Sequence, residues 1–137
     1  MINPKKNNAF TLLEITIVII VIGILASIAL PRFLKTMELS RATEALAQLS
    51  AIRRAMDRCY LLSNTTYNSC ANFTDLDLEN PNTVPNAHFT YGLGTPGATN
   101  FTITATRNSL DGGDTASKIT ITENGTKTGT GSFSNIK

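Results

Sequence analysis

From Phe10 to Leu30 the chain runs through 21 residues of which only Thr11, Glu14, Thr16 and Ser27 are polar. As an α-helix this run is roughly 32 Å long at ~1.5 Å per residue, which matches the ~30 Å hydrocarbon core of a bilayer. Lys5 and Lys6 precede it, and no further Lys or Arg follows before Arg32. That bias holds the N-terminus in the cytoplasm and sends the rest of the chain outward. A chain of 137 residues has room for one domain, too small to cover such a rod itself. The run must therefore find its surroundings in lipid or in other chains.

Beyond Pro31 the pattern becomes amphipathic. Ala42, Ala45, Leu46, Leu49, Ile52, Met56 and Cys59 recur at intervals of three and four and share one helical face. Arg41, Glu44, Gln48, Arg53 and Asp57 occupy the other side, with Arg41–Glu44 and Arg53–Asp57 at pairing distances along a helix. Pro31 removes one backbone hydrogen bond and predicts a kink or a loosened turn, not an end. The reading is one helix from about residue 10 to about residue 62, stopped by Ser63-Asn64-Thr65-Thr66.

Residues 63–86 read as loop, with Pro81, Pro85 and a short turn over 73–78. Strand signals follow at 88–91, 101–107 and 118–123, and Asn124-Gly125 is a hairpin turn leading to a fourth strand around 126–133. One-sided alternation and short connections predict an antiparallel sheet with one covered face. Its cover is the apolar face of 42–59. The fold class is α+β: a long N-terminal helix, half membrane-spanning and half amphipathic, packed on a small sheet of three or four strands.

The N-terminal residues carry a resemblance. Thr11-Leu12-Leu13-Glu14 directly after Phe10, the short basic leader, and the apolar run with Gly23 and Pro31 resemble type IV pilins and the pseudopilins of type II secretion. Counting Phe10 as the first mature residue puts Glu14 fifth and Pro31 twenty-second, as in that family. The resemblance implies a leader at 1–9, cleavage between Ala9 and Phe10, N-methylation of Phe10, a filament-core helix at 10–30 and an exported head at 31–137. The family usually has Gly before the cut. Ala9, the next smallest residue, implies slower cutting. The implied partners are further copies in a helical filament, a prepilin peptidase, an inner-membrane platform and an assembly ATPase. The resemblance also implies a single-pass inner-membrane precursor, then an extracellular pilus or periplasmic pseudopilus.

Glu14 is the lone acid in the run and is costly to hold there. Leader removal frees the α-amine of Phe10, and Glu14 of one copy can neutralise the amine of its neighbour, which resembles the family's assembly rule. Gly23 and Pro31 are both poor helix formers and bracket the stretch that family filaments show melted. Loss of Lys5 and Lys6 leaves ten basic against ten acidic side chains, so copies stack without strong self-repulsion.

The remaining candidates are weaker. Cys59 and Cys70, 11 positions apart on the exported side, predict a disulfide worth about 3 kcal/mol in the chain-entropy model. Two cysteines and His88 cannot cage zinc, and His88 reads as a strand residue. Asp111 and Asp114 flank Gly112-Gly113 as calcium candidates, but two carboxylates underfill a site that takes 6–8 oxygens. No cofactor is called for. Gly92-Leu93-Gly94-Thr95-Pro96-Gly97 spells a dinucleotide fingerprint, yet Pro96 and the following strand make it a turn. Arg53, Arg54 and Arg58 form a small basic cluster, and with a net charge of +2 nucleic acid is not the expected partner. Asn64, Asn72, Asn100 and Asn124 begin N-x-Thr sequons of the kind this composition yields by chance.

The sequence therefore reads as a non-enzymatic filament subunit with a Thr/Asn-rich outer surface. Two alternatives stay open. One is a major pseudopilin of a type II secretion system. The other is a secreted binding module whose Sec signal is cut after Ser27-Ile28-Ala29, giving a mature start at Leu30 instead of Phe10.

Overall fold

The computed structural model describes residues 10–137; the leader expected at 1–9, with Ala9, lies outside the described residues. Helix α1 spans Leu12–Leu62, 51 residues, with Pro31 inside it. It continues through the proline, so the expected end at Leu62 is met and the start falls two residues later than expected. The chain divides into two units, one ending at Met37 and the other running Glu38–Lys137.

In the first unit the helix satisfies its own side-chain hydroxyls. The Thr16 hydroxyl donates to the Leu12 carbonyl at 2.8 Å and Ser27 to the Ile24 carbonyl at 2.7 Å. These bonds let hydroxyls sit in an apolar run without an outside partner.

In the second unit the helix buries Ala42, Ala45, Leu49, Ile52, Ala55, Met56 and Cys59, the predicted face with Ala55 added and Leu46 partly buried. It packs on strands β1 (Phe89–Leu93), β2 (Thr102–Arg107), β3 (Lys118–Thr122) and β4 (Lys127–Gly129), antiparallel and in sequence order. The register sets Tyr91, Ala105, Ile119 and Gly129 in one row. Period-two alternation then sends Phe89, Tyr91, Ile103, Ala105, Ile119 and Ile121 into the core. The opposite face is threonine: Thr90 pairs with Thr106, Thr102 with Thr122, and Thr104 with Thr120, which pairs with Thr128.

Two sequence expectations shift. The first strand is Phe89–Leu93, not 88–91, and its outer edge is sealed by Asn82. The Asn82 amide accepts from the Tyr91 N–H at 2.7 Å and donates to the Tyr91 carbonyl at 2.8 Å, doing what a neighbouring strand would do. The last strand stops at Gly129 instead of reaching Phe133. Gly131 takes φ +60° and a 3₁₀ turn over Gly131–Phe133 folds Phe133 into the core against Phe89, ring centroids 5.7 Å apart. The Phe133 carbonyl occupies the position a Gly129 Cβ would take.

Helix and sheet are also joined by charge. Parity along β2 puts Arg107 on the core face, where it is fully buried. A buried guanidinium needs every donor used. Arg107 donates to both Glu38 carboxylate oxygens at 3.1 Å and to the carbonyls of His88, Asn108 and Leu110 at 3.1, 3.0 and 2.9 Å. Arg41 donates to Glu38 at 2.6 Å and to Asp111 at 3.1 Å, and His88 Nε2 lies 2.9 Å from Asp111. Arg41 thus turns away from Glu44, its predicted partner. Arg53 likewise donates to the Glu123 carbonyl at 3.0 Å, and Asp57 accepts from the Tyr67 hydroxyl at 3.2 Å. Arg41 thus keeps a helix partner in Glu38 and adds Asp111 from a loop, whereas the Arg53–Asp57 pair gives way to partners from loops alone.

Arg107 beside Glu38 holds that carboxyl below its ordinary range although burial pulls the other way. His88 first, then Arg41, does the same for Asp111. Both groups bind protons more weakly folded than unfolded. Their stabilisation is therefore complete above the unfolded values near pH ~4 and is lost as pH falls through the lower folded values.

Denaturation in detergent should give a constant unfolding midpoint from neutrality to about pH 5 and a decline below about pH 4. Glu38→Gln should flatten that decline and remove about 3 kcal/mol at neutral pH, because it leaves Arg107 buried without its counter-charge. Gly129→Ala should cost about 1–3 kcal/mol by pushing the Phe133 carbonyl away, seen in the same measurement.

Candidate assembly surface

Helix α1 begins with a cap. The Thr11 hydroxyl accepts from the Glu14 backbone N–H at 3.2 Å, and Thr11-Leu12-Leu13-Glu14 has the spacing of a capping box. Glu14 therefore sits in the first turn, where the helix dipole favours a negative charge. Its carboxylate makes no hydrogen bond or ion pair among the described residues, and Phe10 lies one residue before the cap. The cap is a feature that the reading of residues above did not include, although Thr-x-x-Glu before an apolar run announces it.

Past Glu14 the large side chains of the run are exposed on every side, from Val18 at 47% to Leu25 at 62%. This is a helix long and apolar enough to cross a membrane. Gly23 has open space where a side chain would be, and Pro31 stands within the helix. An all-round apolar rod is stable in lipid or among other helices, not in water.

In the head, the predicted pair Cys59 and Cys70 is bonded, with Cα atoms 6.2 Å apart, which ties the loop after α1 back to its last turn. Asp111 and Asp114 are engaged by different partners. Asp111 is engaged by Arg41 and His88. Asp114 accepts from the Ala116 N–H and the Ser117 hydroxyl, both at 2.9 Å, which hold its carboxyl below the ordinary range. Among the described residues no three His, Cys, Asp or Glu side chains gather as metal ligands. His88 belongs to the Asp111 network, just ahead of β1. The glycine-rich stretch 92–97 closes the β1–β2 connection, with Gly94 N–H donating to the Thr102 carbonyl at 2.8 Å and Gly97 N–H to the Asn100 carbonyl at 2.9 Å. Of the basic cluster, Arg53 is engaged at Glu123 and Arg58 donates to the Asp77 carbonyl at 3.0 Å, while Arg54 is exposed.

Comparison with known proteins bears on this geometry. Residues 4–30 match the profile described as the prokaryotic N-terminal methylation motif. Residues 31–120 match the family described as type IV minor pilin ComP, DNA uptake sequence receptor. A probable minor fimbrial protein of Dichelobacter nodosus is 38% identical over 52% of this chain and 45% of its own. The type IV major pilin protein PilA of Myxococcus xanthus is 40% identical over 51% of this chain and 31% of its own. The type II secretion system core protein G of Aeromonas hydrophila is 31% identical over 59% of this chain and 56% of its own. The chain thus spans about half or less of the length of these relatives. In fold it is similar to the Neisseria meningitidis non-core minor pilin PilV, with a TM-score of 0.51 at 20% identity over 66% of this chain and 84% of that one. With more than half its length under one family profile, and the methylation motif ahead of it, the chain belongs to the type IV minor pilin family.

Proposed function

We propose that this chain is a structural subunit of a type IV pilus or pilus-like filament. One observation carries the reading: the apolar half of α1 leaves its large side chains exposed on every side, with a single carboxylate, Glu14, in its first turn. In the membrane, lipid covers this surface; in a filament, the same helix of other copies does. Exchanging lipid for protein changes hydrophobic free energy little, so close packing and the pairing of Glu14 with a neighbour's Phe10 amine set the preference. The methylation-motif match over residues 4–30 supports cleavage between Ala9 and Phe10 over a Sec cut before Leu30. Machinery for cleavage, platform and ATP-driven extraction follows from the same reading. The pseudopilin alternative draws on the similarity to core protein G and predicts a short periplasmic filament. Gly23 and Pro31 bracket the stretch of α1 that extends or bends on packing.

In cells that assemble the filament, the mature chain should begin at Phe10. Glu14→Ala should leave membrane levels unchanged and reduce recovery in sheared filaments by about tenfold or more, read by immunoblot of the two fractions. A start at Leu30, or undiminished recovery, contradicts the reading.

A second reading, DNA reception at the filament surface, is favoured by the description of the matched family and by Arg54 and Arg58, both exposed on the head's helix. The near-balance of charges keeps it second. If it holds, duplex DNA is retarded by the purified chain, and Arg54→Ala lowers the salt dependence by about one phosphate contact.

A further inference from the structure

Between α1 and the loop before β1 the head has an open cleft of about 330 Å³. Pro81, Val84 and Pro85 give it an apolar wall, and Val84 is 56% exposed. Glu44 and Gln48 reach it from the helix and Tyr91 from β1. Two of these groups are unfinished. Glu44 has lost its expected partner, since Arg41 is held by Glu38 and Asp111, and it forms no other ion pair or hydrogen bond among the described residues. Tyr91 is only 8% exposed, yet its hydroxyl makes no hydrogen bond among the described residues and still reaches solvent. Burial and the nearby Glu44 charge push the Tyr91 phenol up to about 12, so it is neutral at working pH and has a lone pair to offer. His88 at the rim is already committed to Asp111.

An unpaired carboxylate, a neutral phenol and an amide beside an apolar wall form an acceptor set for a cation on an aliphatic stem. We propose that the cleft takes a basic side chain from the 32–35 stretch of a second copy, Arg32 or Lys35. The inference rests on the filament reading, which brings copies side by side along α1. Arg41, Arg58 and Arg107 are in ion pairs; Arg54, Lys118 and Lys137 are exposed and unpaired on the head, and Arg32 and Lys35 are exposed and unpaired on the rod side of α1, all among the described residues. Arg32 and Lys35 stand just beyond the apolar run, so bundling encloses them, and an enclosed cation needs a carboxylate. Glu44 supplies it, the Tyr91 hydroxyl and Gln48 carbonyl accept the remaining N–H groups, and the methylene stem lies on Pro81 and Val84.

The test is a charge swap in the full chain, with recovery in sheared filaments compared with membrane level and with an intact Cys59–Cys70 disulfide as the control for folding. Glu44→Gln should lower filament recovery by about tenfold, and Arg32→Glu with Lys35→Glu should do the same. Joining those two reversals to Glu44→Lys should restore recovery to within about twofold of the wild type. Tyr91→Phe, which keeps the ring, should give a smaller loss at unchanged membrane level. Wild-type recovery of Glu44→Gln overturns the proposal, and so does a triple reversal no better than its parts, which assigns the cleft to another occupant. Absence of the wild-type chain from filaments is a separate result and overturns the filament reading itself.

Discussion

An apolar rod that its own chain does not cover governs this protein. Every large side chain from Leu12 to Leu30 is about half exposed or more, an arrangement that water does not tolerate. The rod must always have company, and the two available kinds, lipid and sibling rods, are almost equally apolar. A small polar term can therefore decide between them. On the proposed reading Glu14, held in the first turn that Thr11 caps, provides that term, with a partner amine freed when residues 1–9 are removed.

The head solves a different problem. It must hold a helix against a small sheet in a body of about 100 residues, a size at which one apolar core is marginal. Here the core is reinforced by the Cys59–Cys70 bond and by Arg107, whose buried fork grips Glu38 while its remaining donors gather the carbonyls of three loop residues. The threonine face and the Asn82-sealed edge keep the sheet from recruiting strands in unplanned places. Contacts with other copies then fall to the helix and to defined side chains such as Glu44.

Much of this was legible before any coordinates. Spacing of Ala42, Leu49, Ile52, Met56 and Cys59 identified the buried helical face, and alternation of Ile103 with Ala105 and of Ile119 with Ile121 identified the sheet's inner face. The disulfide followed from compartment and separation. What escaped was decided by partners far away in sequence. Arg41 does belong to a helical ion pair, but with Glu38 one turn back and not with Glu44, and it also reaches Asp111, while Arg53 turns to the Glu123 carbonyl, each 70 positions on. Phe133 looked like the end of a strand, because nothing local says that Gly131 turns the chain under the sheet. Parity along β2 makes Arg107 an inward residue, but nothing local points to Glu38 as its partner. In the N-terminal half the motif that carries the functional reading was plain, while the role of Thr11 as its cap was there to be read in the four-residue spacing.

The central claim is that one surface is handed from lipid to siblings, and it can be tested at a single position. A photoreactive residue at Ile20, exposed midway along the rod, reports what touches it when illuminated. The account predicts lipid adducts alone in cells lacking the assembly ATPase, and a ladder of covalent multimers of this chain in sheared filaments. Lipid adducts in both samples, with no multimers, would contradict it.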